Sequence, residues 1–208
     1  MENEFIKIFD DKRNVIGVAS RSDVHRLGYW HETFHCWFVT NINGKEYIYL
    51  QLRSDAKKDY PGLLDITVGG HLLADETVQD GIREIKEEVG IDVDFHDLQK
   101  LGILEYCVIN ENLIDKELAH TFLYKCEHQL TDFTVQIDEV AGIGLVELKD
   151  FSELWLGERE TIQVSAFKID KEGNKNMFAE TVGKDKFVPH DTLFYQEVVL
   201  KIQRHLIK

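Results

Sequence analysis

Apolar positions that recur at helical spacing identify one strong helix near the middle of the chain. Successive members lie four, three and four residues apart, as on the buried face of an amphipathic helix. This stripe consists of Val78, Ile82, Ile85 and Val89. Asp75 or Thr77 can cap the start, and Gly90 stands where helices commonly end in a left-handed residue. The pattern therefore predicts a helix from about Val78 to Val89.

Alternating apolar and polar positions predict strands on both sides of this helix. Turn residues at Asp10–Asn14 connect two short strands between Glu4 and Val18, and Asn43-Gly44 connects two stronger ones. The longer predicted strands are Phe34–Asn41, Glu46–Arg53, Val93–Cys107 and Glu117–Glu127. An acidic loop, Asn110–Asp115, is predicted between the last two. Residues 20–32 are expected to form a loop with a helical turn that begins near Ser22.

Two further elements are predicted at the end of the chain. A hairpin is expected over about 161–182, where it would form a wall of a substrate pocket or a dimer contact. A long C-terminal helix is expected over about 191–207, with Asp191 as its cap and Pro189 limiting its start. The buried stripe of this helix is Phe194, Val198, Ile202 and Leu206.

Composition and charge narrow the range of partners. At 208 residues, 43% hydrophobic, the chain is long for one domain, and the lack of a linker or repeat predicts a single domain over 1–208. Its net charge of -14 makes it a poor general binder of nucleic acid or anionic membranes. Small phosphates can still bind where cations are concentrated locally. The sequence leaves a homodimer open.

The cysteines and the apolar runs indicate the compartment. Cys36, Cys107 and Cys126 are widely spaced and show no zinc or disulfide pattern. Cys36 and Cys126 lie in strand-like segments and are expected to be buried thiols in a reducing compartment. No signal peptide is visible and no apolar run approaches about 18 residues. We therefore expect a cytoplasmic protein without a membrane span.

The face of the central helix opposite its apolar stripe carries three carboxylates within one turn. Glu84, Glu87 and Glu88 stand at positions i, i+3 and i+4. Like charges this close cost a few tenths of a kcal/mol per pair, and a divalent cation reverses the sign of the interaction. Mg²⁺ prefers oxygen ligands of this kind and shares them with substrate phosphates. The alternative is a solvated acidic face, which is common on helices.

The run from Gly69 to Ile91 resembles the Nudix box, Gly-x5-Glu-x7-Arg-Glu-U-x-Glu-Glu-x-Gly-U, where U is a bulky aliphatic residue. Its second half matches without a gap, whereas Gly70 and Glu76 leave six residues before Arg83 where the box has seven. If the missing residue lies in the loop, the metal site is unchanged. If it lies in the helix, Glu76 is rotated by about 100° relative to Arg83.

The resemblance implies a fold and a chemistry. The fold class implied is α/β (α+β), a Nudix-type α/β/α sandwich with a mixed central sheet, an N-terminal hairpin and a long C-terminal helix. The activity implied is hydrolysis of a diphosphate linkage in a nucleoside diphosphate derivative or a related organic diphosphate. In that case Glu84, Glu87 and Glu88 hold Mg²⁺ (or Mn²⁺), and Glu87 or Glu88 orients the attacking water. Glu139 is the candidate general base that would accept a proton from this water, with Glu117 as an alternative.

Structural roles follow from the same motif. Gly70 and Gly90 shape the box, and Arg83 is expected to form an ion pair with one of its acids. Because Glu87 and Glu88 are expected to be exposed without metal, their replacement by glutamine should leave the fold intact.

A wider stretch, roughly residues 5–150, resembles the Nudix branch that includes type I isopentenyl-diphosphate isomerase. That pattern has a basic cluster before a Pro-Gly, and here Arg53, Lys57 and Lys58 precede Pro61-Gly62. Arg53 and Lys58 are our candidates for binding the diphosphate, since arginine forms a planar fork and lysine a mobile charge. An ordinary exposed basic loop is the alternative.

One departure from the isomerase pattern changes the expected activity. Gly69 occupies the position of the isomerases' catalytic cysteine, and glycine cannot transfer the proton that double-bond migration needs. The histidine matching His71 binds metal in the isomerases, so His71 is a candidate ligand here, or a loop histidine that only hydrogen-bonds. His31 aligns with another of their ligands, and His35 is a weaker candidate.

Three functions are therefore compared: a metal-dependent diphosphate hydrolase, which the residues favour, an isomerase disfavoured by Gly69, and a silent diphosphate-binding module. The group attached to the diphosphate is not specified by the sequence.

Overall fold

The computed structural model describes residues 4–110 and 113–207, and within them eleven strands form one sheet. The strands are β1 (Phe5–Phe9), β2 (Val15–Ser20), β3 (Trp30–Ile42), β4 (Lys45–Arg53), β5 (Leu64–Asp65), β6 (Val68–His71), β7 (Gln99–Asn110), β8 (Leu113–Lys125), β9 (Val140–Glu147), β10 (Ile162–Ile169) and β11 (Lys175–Val182). The helices are α1 (Arg21–Leu27), α2 (Arg83–Val89), α3 (Leu148–Leu156) and α4 (Thr192–Leu206).

Strand β3 is the centre of the sheet. It pairs with β8 in parallel and with β4, β6 and β1 antiparallel, so the sheet is mixed. The main strand order is β11-β10-β9-β4-β3-β1-β2. Off this path, β8 pairs with β3 and β7 pairs with β8. Because β3 contacts both β6 and β8, side chains from distant parts of the sequence meet along it.

Helices cover both faces of this sheet. Trp37 of β3 packs with Phe151 of α3 and Tyr195 of α4 on one face. On the other face, Phe34 belongs to the apolar cluster that includes Ile85 of α2. The alternation along β3 follows from the period of two in a strand. The predicted α/β/α sandwich with a mixed sheet is confirmed.

Local turn chemistry explains several element boundaries. Asn43 and Gly44 both have positive φ, 53° and 83°, as the predicted two-residue hairpin between β3 and β4 requires. Asp191 caps α4 by accepting a hydrogen bond from the Leu193 amide. Gly90 ends α2 in the left-handed region with φ 74°, and a Cβ there would lie 2.6 Å from the Thr134 carbonyl oxygen. Only glycine suits that position.

Two helix predictions were wrong in their bounds. Residues 21–27 form the helix α1, capped by Ser20, where a loop with a helical turn near Ser22 was expected. Helix α2 begins at Arg83, not near Val78, because a 3₁₀ turn, Asp80–Ile82, precedes it. The Asp80 carboxylate accepts from the Thr77 amide and hydroxyl, which stabilises the entry to this turn.

The strands after α2 also differ from prediction. A 3₁₀ turn, Phe95–Asp97, precedes β7, which runs on to Asn110. Strand β8 begins at Leu113, so the described part of the predicted acidic loop Asn110–Asp115 is all strand, and residues 111 and 112 lie outside the described residues. No helix in the described ranges is long and apolar enough to span a membrane.

Candidate active site

A cavity of about 590 Å³ opens where β6, α2, β7 and β8 converge. Its wall includes acidic residues of α2, histidines of β3 and β6, and basic residues of the segment after β4. The size is that of a small-molecule site. The predicted hairpin, now β10 and β11, contributes nothing to this wall in the described part of the chain, so it is not a wall of this pocket.

The acids of α2 face the cavity to different degrees. Glu88 is buried and accepts a hydrogen bond from the Gly69 amide at 3.1 Å. Glu84 approaches β6 so closely that a Cβ on Gly70 would lie 2.3 Å from its carboxyl group. The Glu87 side chain is 51% exposed. The expectation that both Glu87 and Glu88 are exposed was therefore wrong for Glu88.

Arg83 joins the acids of the box. Its guanidinium group contacts Glu84 at 2.7 Å and Glu87 at 2.9 Å. It also forms a two-bond ion pair with Glu76, at 2.6 and 3.1 Å. Because Glu76 lies in the loop before α2 and still reaches Arg83, the missing residue of the box has been absorbed in that loop.

Burial of the two inner acids changes their acidity. Burial, opposed by Arg83 and assisted by Glu87, raises the pKa of Glu84 to about 7. Burial and the neighbouring Glu84 raise the pKa of Glu88 well above its ordinary value. Two carboxyl groups in this state lack enough positive charge nearby. A divalent cation would supply it, so the donor set fits a Mg²⁺ or Mn²⁺ ion.

Glu139 enters the cavity from the loop before β9, and the Lys57 ammonium group contacts its carboxylate. Both groups act on the pKa of Glu88, which Lys57 lowers and Glu139 raises. Glu139 therefore lies beside the α2 acids. Lys57, which was not among the two predicted diphosphate ligands, lies in the cavity wall, whereas Lys58 is exposed outside it.

A second group of possible metal ligands lies at the wall of the same cavity, with the fully buried His31 behind that wall. The rings of His25, His31 and His71 are 5.1 to 5.3 Å apart between centroids. Asp115 Oδ1 lies 3.6 Å from His25 Nε2 and 3.5 Å from His31 Nε2. Ligand atoms of two sets, His25-His31-His71 and His31-Asp115-Glu117, lie within 4.8 Å of one another in each set.

The state of these groups suits a metal ion. His31 Nε2 and Asp115 Oδ1 are buried and have no hydrogen-bond partner among the described residues. Burial is the largest cause that lowers the pKa of His25 to about 4 and the pKa of His31 and His71 below the ordinary value. Neutral imidazoles are the form that binds metal. A divalent cation would satisfy both unpartnered atoms.

Glu117 connects this group to other buried side chains. It accepts from Thr33 at 2.6 Å and lies 3.1 Å from His35 Nε2. Burial would raise the pKa of Glu117, but His35 and His31 hold it well below its ordinary value. Tyr106 also hydrogen-bonds Glu117, and burial first, then Glu117, raises the pKa of that phenol. His35 therefore supports Glu117 and is not in either metal-capable set.

Arg53 faces the other end of the cavity. It donates to the Asp59 carbonyl oxygen and to the buried Asp65, 2.9 Å away. Asp65 also lies 3.1 Å from His190 Nε2. Arg53 is therefore held in place at the cavity wall, as a residue that binds a phosphate should be.

Comparison with known proteins decides the family. A model of the NUDIX domain matches residues 29–165. Over 200 residues, 96% of this chain and 97% of the relative, the chain is 36% identical to an uncharacterized Nudix hydrolase of Clostridium acetobutylicum. The chain belongs to the Nudix hydrolase family. The prediction of a Nudix-type pyrophosphohydrolase is thereby confirmed.

Other relatives agree with the Nudix fold and the predicted branch. Isopentenyl-diphosphate Delta-isomerase 2 of Photorhabdus laumondii is 28% identical over 148 residues, 70% of this chain and 78% of that protein. The crystal structure of DR0079 from Deinococcus radiodurans superposes with a TM-score of 0.52 at 17% identity, covering 70% of this chain and 85% of that one. At that identity the second likeness supports the fold alone.

Several residues of this Nudix cavity were not predicted from the sequence. They are His25, Asp65, Tyr106, Asp115 and His190. One signal was available, because Asp115 and Glu117 are two residues apart and therefore share a face of β8. The sequence indicated His25 less clearly. Its approach to His31 depends on the position of helix α1 and on the parallel pairing of β3 with β8.

Proposed function

We propose that this Nudix enzyme is a divalent-metal-dependent hydrolase that cleaves the diphosphate linkage of a nucleoside diphosphate derivative or a related organic diphosphate. The observation that carries the proposal is a pair of acids, the half-buried Glu84 and the buried Glu88, whose raised pKa values favour a cation inside a cavity that also holds Arg53 and Lys57. The divalent ion would bind the acids, and the two basic side chains would bind the dianionic diphosphate.

The proposed ligands of Mg²⁺ (or Mn²⁺) are Glu84, Glu87 and Glu88, with His71 in the neighbouring histidine group. When bound, the ion neutralises the diphosphate and makes a water a stronger nucleophile. Arg83 orients Glu84 and Glu87 through its contacts at 2.7 and 2.9 Å. Gly70 leaves the space that the Glu84 carboxyl group occupies.

Glu139 is the proposed general base. Its carboxylate lines the cavity beside the α2 acids, where the Lys57 ammonium group contacts and positions it. In the proposed step, a water oxygen bonds to phosphorus, the bond from phosphorus to the bridging oxygen breaks, and Glu139 receives the proton of the water. Glu117 is less suited, because it is buried and its Oε2 atom already contacts both His35 and Thr33.

The basic residues of the wall are proposed to hold the substrate phosphates. Arg53 is fixed by Asp65, and Lys57 reaches the cavity beside Glu139. Arg21, at the start of α1, lines the same cavity. We keep Lys58 as a candidate that would act from outside the wall, through the mobility of its side chain.

Isomerization of an isopentenyl diphosphate is the second candidate, favoured by the group of His25, His31 and His71 and by the isomerase relatives. It is opposed by Gly69, which offers no side chain for proton transfer at β6. Incubation with isopentenyl diphosphate and Mg²⁺ separates the two, because a hydrolase releases phosphate and an isomerase releases an isomer.

The test is a screen of diphosphates with Mg²⁺ and with Mn²⁺: nucleotide sugars, dinucleotides, coenzyme A, and prenyl and thiamine diphosphates. Products are separated by chromatography. The Glu88→Gln variant gives the background, and Asp92→Asn, an exposed acid just beyond α2, is the matched control. We expect hydrolysis by wild type and by Asp92→Asn. Binding without turnover of any substrate would instead identify a silent module.

A further inference from the structure

A second apolar stripe runs along α4 on the side that faces solvent. Leu193, Leu200 and Ile207 are 69%, 43% and 85% exposed, and successive members are seven residues apart. Glu197 and Arg204 are exposed between them, so these five positions, the α4 seam, recur at intervals of four and three residues. That spacing places them in one line along a helix, as in a coiled coil. Exposed apolar side chains that are scattered singly need no explanation, whereas a line of them at this spacing indicates a contact.

Contacts on both flanks of the α4 seam hold the helix in place. Gln196 donates to the Trp155 carbonyl oxygen at 3.0 Å, so α3 lies along one flank. On the other flank, Lys201 donates to the Leu101 carbonyl oxygen of β7 at 3.0 Å. Lys201 also lies 3.4 Å from Glu197, which stays 56% exposed and keeps room for a second partner. The seam is therefore presented on a fixed helix, which lowers the entropy cost of docking.

The charged positions make the α4 seam complementary to itself in one orientation. In an antiparallel pair of α4 helices related by a two-fold axis near Leu200, Glu197 of each copy lies opposite Arg204 of the other. Leu200 then meets its own counterpart, and Leu193 meets Ile207. A parallel pair would place Glu197 beside Glu197 and Arg204 beside Arg204, and like charges at such positions disfavour pairing. The seam therefore favours an antiparallel partner of the same sequence.

The charge of the whole chain sets this segment apart. The net charge is -14, so copies of the chain repel each other over most of their surface. Between residues 191 and 207, two acids, Asp191 and Glu197, balance two bases, Lys201 and Arg204, with the histidine neutral. The acids lie in the first half of the helix and the bases in the second, so an antiparallel pair brings opposite charges together along its length.

We infer that α4 is an interaction surface for a second copy of this chain, and that two α4 helices pack antiparallel through the α4 seam. The contact is short, since Leu193 and Ile207 are about 21 Å apart at 1.5 Å of rise per residue. An open groove of about 610 Å³ at the end of α4 adds Leu156 and Leu206 to the apolar surface there. A contact of this size is expected to give a dimer that dissociates on dilution. The inference goes beyond the proposed function and does not depend on it.

Exchange of the seam charges tests both the contact and its direction. Glu197→Arg places arginine opposite arginine, and Arg204→Glu places glutamate opposite glutamate, so each variant by itself should raise the dissociation constant of the dimer at least about tenfold. A mixture of the two variants should recover a dimer with one copy of each, because every seam charge then meets its opposite. Native mass spectrometry identifies this mixed dimer by its mass.

Two further variants test the apolar contact and supply the control. Leu200→Lys places a charge at the centre of the seam and should give a monomer whose circular dichroism matches wild type. Met177→Lys changes a residue of the β10–β11 hairpin, 58% exposed, and should leave the dimer unchanged. Sedimentation velocity over a range of protein concentrations measures each dissociation constant.

Four outcomes would overturn the inference. They are a wild type that is monomeric at every concentration, a dimer that Leu200→Lys leaves intact, and a mixture of the two charge variants that stays monomeric. The fourth is a dimer that Met177→Lys dissociates and the α4 variants do not, which would assign the contact to the hairpin.

Discussion

Arg83 and Glu76 form a two-bond ion pair across the loop that precedes α2, with Nε–Oε1 at 2.6 Å and Nη2–Oε2 at 3.1 Å. The box of this Nudix enzyme is one residue short between them, yet the pair is intact. Glu76 also accepts from the Leu73 amide at 2.8 Å, which shapes the shortened loop. The burial of Glu76 opposes its ionisation, but Arg83 and Leu73 lower its pKa.

Glu76→Gln should therefore weaken both the fold and the activity. Loss of a charged hydrogen-bond partner costs about 1–2 kcal/mol in the free energy of unfolding. We expect kcat to fall about tenfold, because Arg83 also orients Glu84 and Glu87. Urea unfolding and steady-state kinetics measure the two effects. The exposed neighbour Asp75, changed to Asn, is the control, and equal behaviour of the two variants would show that Glu76 has no such role.

Replacement of Glu88 and Glu87 should distinguish a buried from an exposed acid. Glu88→Gln should lower kcat about a hundredfold or more. Its free energy of unfolding should stay equal or rise, because glutamine removes the cost of a buried charge and still accepts from the Gly69 amide. Glu87→Gln should lower kcat without a stability change. Normal turnover in both variants would remove these residues from the metal site.

The adjacent glycines of β6 provide a matched pair. A Cβ at position 70 would lie 2.3 Å from the Glu84 carboxyl group, whereas one at position 69 would lie 3.5 Å from the nearest atom of His35. Gly70→Ala should displace the flexible end of Glu84 and reduce Mg²⁺ affinity and kcat while the protein stays folded. Gly69→Ala should keep both. Calorimetric Mg²⁺ titration and circular dichroism test this, and equal Mg²⁺ affinity in the two variants would contradict it.

Glu84 should make the metal-free protein less stable as the pH rises. Its folded pKa of about 7 lies above the ordinary value of 4.5, so the folded state binds this proton more tightly. The free energy of unfolding should therefore decrease through pH 4.5–7, by an amount on the order of 2–3 kcal/mol. Urea unfolding of wild type and Glu84→Gln in EDTA gives the difference. Mg²⁺ should remove this loss of stability. If the free energy of unfolding falls equally with pH in both proteins in EDTA, Glu84 does not contribute the predicted pH dependence.

His25 should have the opposite pH dependence. Burial and His31 lower its pKa from 6.5 to about 4, so the unfolded chain binds this proton more tightly. Stability present above pH 6.5 is lost as the pH falls toward 4, by about 2–3 kcal/mol. His25→Asn should lose less stability between pH 7 and 5 than wild type. The control replaces the exposed His96 by Asn, and the free energy of unfolding of this variant should depend on pH as that of wild type does.

The sequence predicted those parts of the fold that local chemistry determines. The turn at Asn43-Gly44, the end of α2 at Gly90 and the cap of α4 at Asp191 all follow from residues within a few positions of the boundary. The start of α2 was not predicted correctly. The tight turn at Asp80–Ile82 keeps Val78 packed on the same core without extending the helix, so the apolar spacing continues beyond the helix itself.

The site could be predicted only in part for a related reason. The α2 acids share one helical turn, so their spacing indicates them. The histidine group depends on the parallel register that sets His31 opposite Glu117, with β6 on the other side of β3. Pairing of distant strands leaves no periodic trace in either strand alone.

The strict alternation of β3 has a consequence for tolerance to substitution. Thr33 and His35 line the cavity and His31 is buried on the same face of β3, while even-numbered positions from Phe34 to Phe38 lie in the α2-side core. In a saturation library of this strand, the phenotype should depend on parity. Variants at His31 and His35 would accumulate as folded but inactive protein, whereas variants at Phe34 or Phe38 would be depleted at the level of expression.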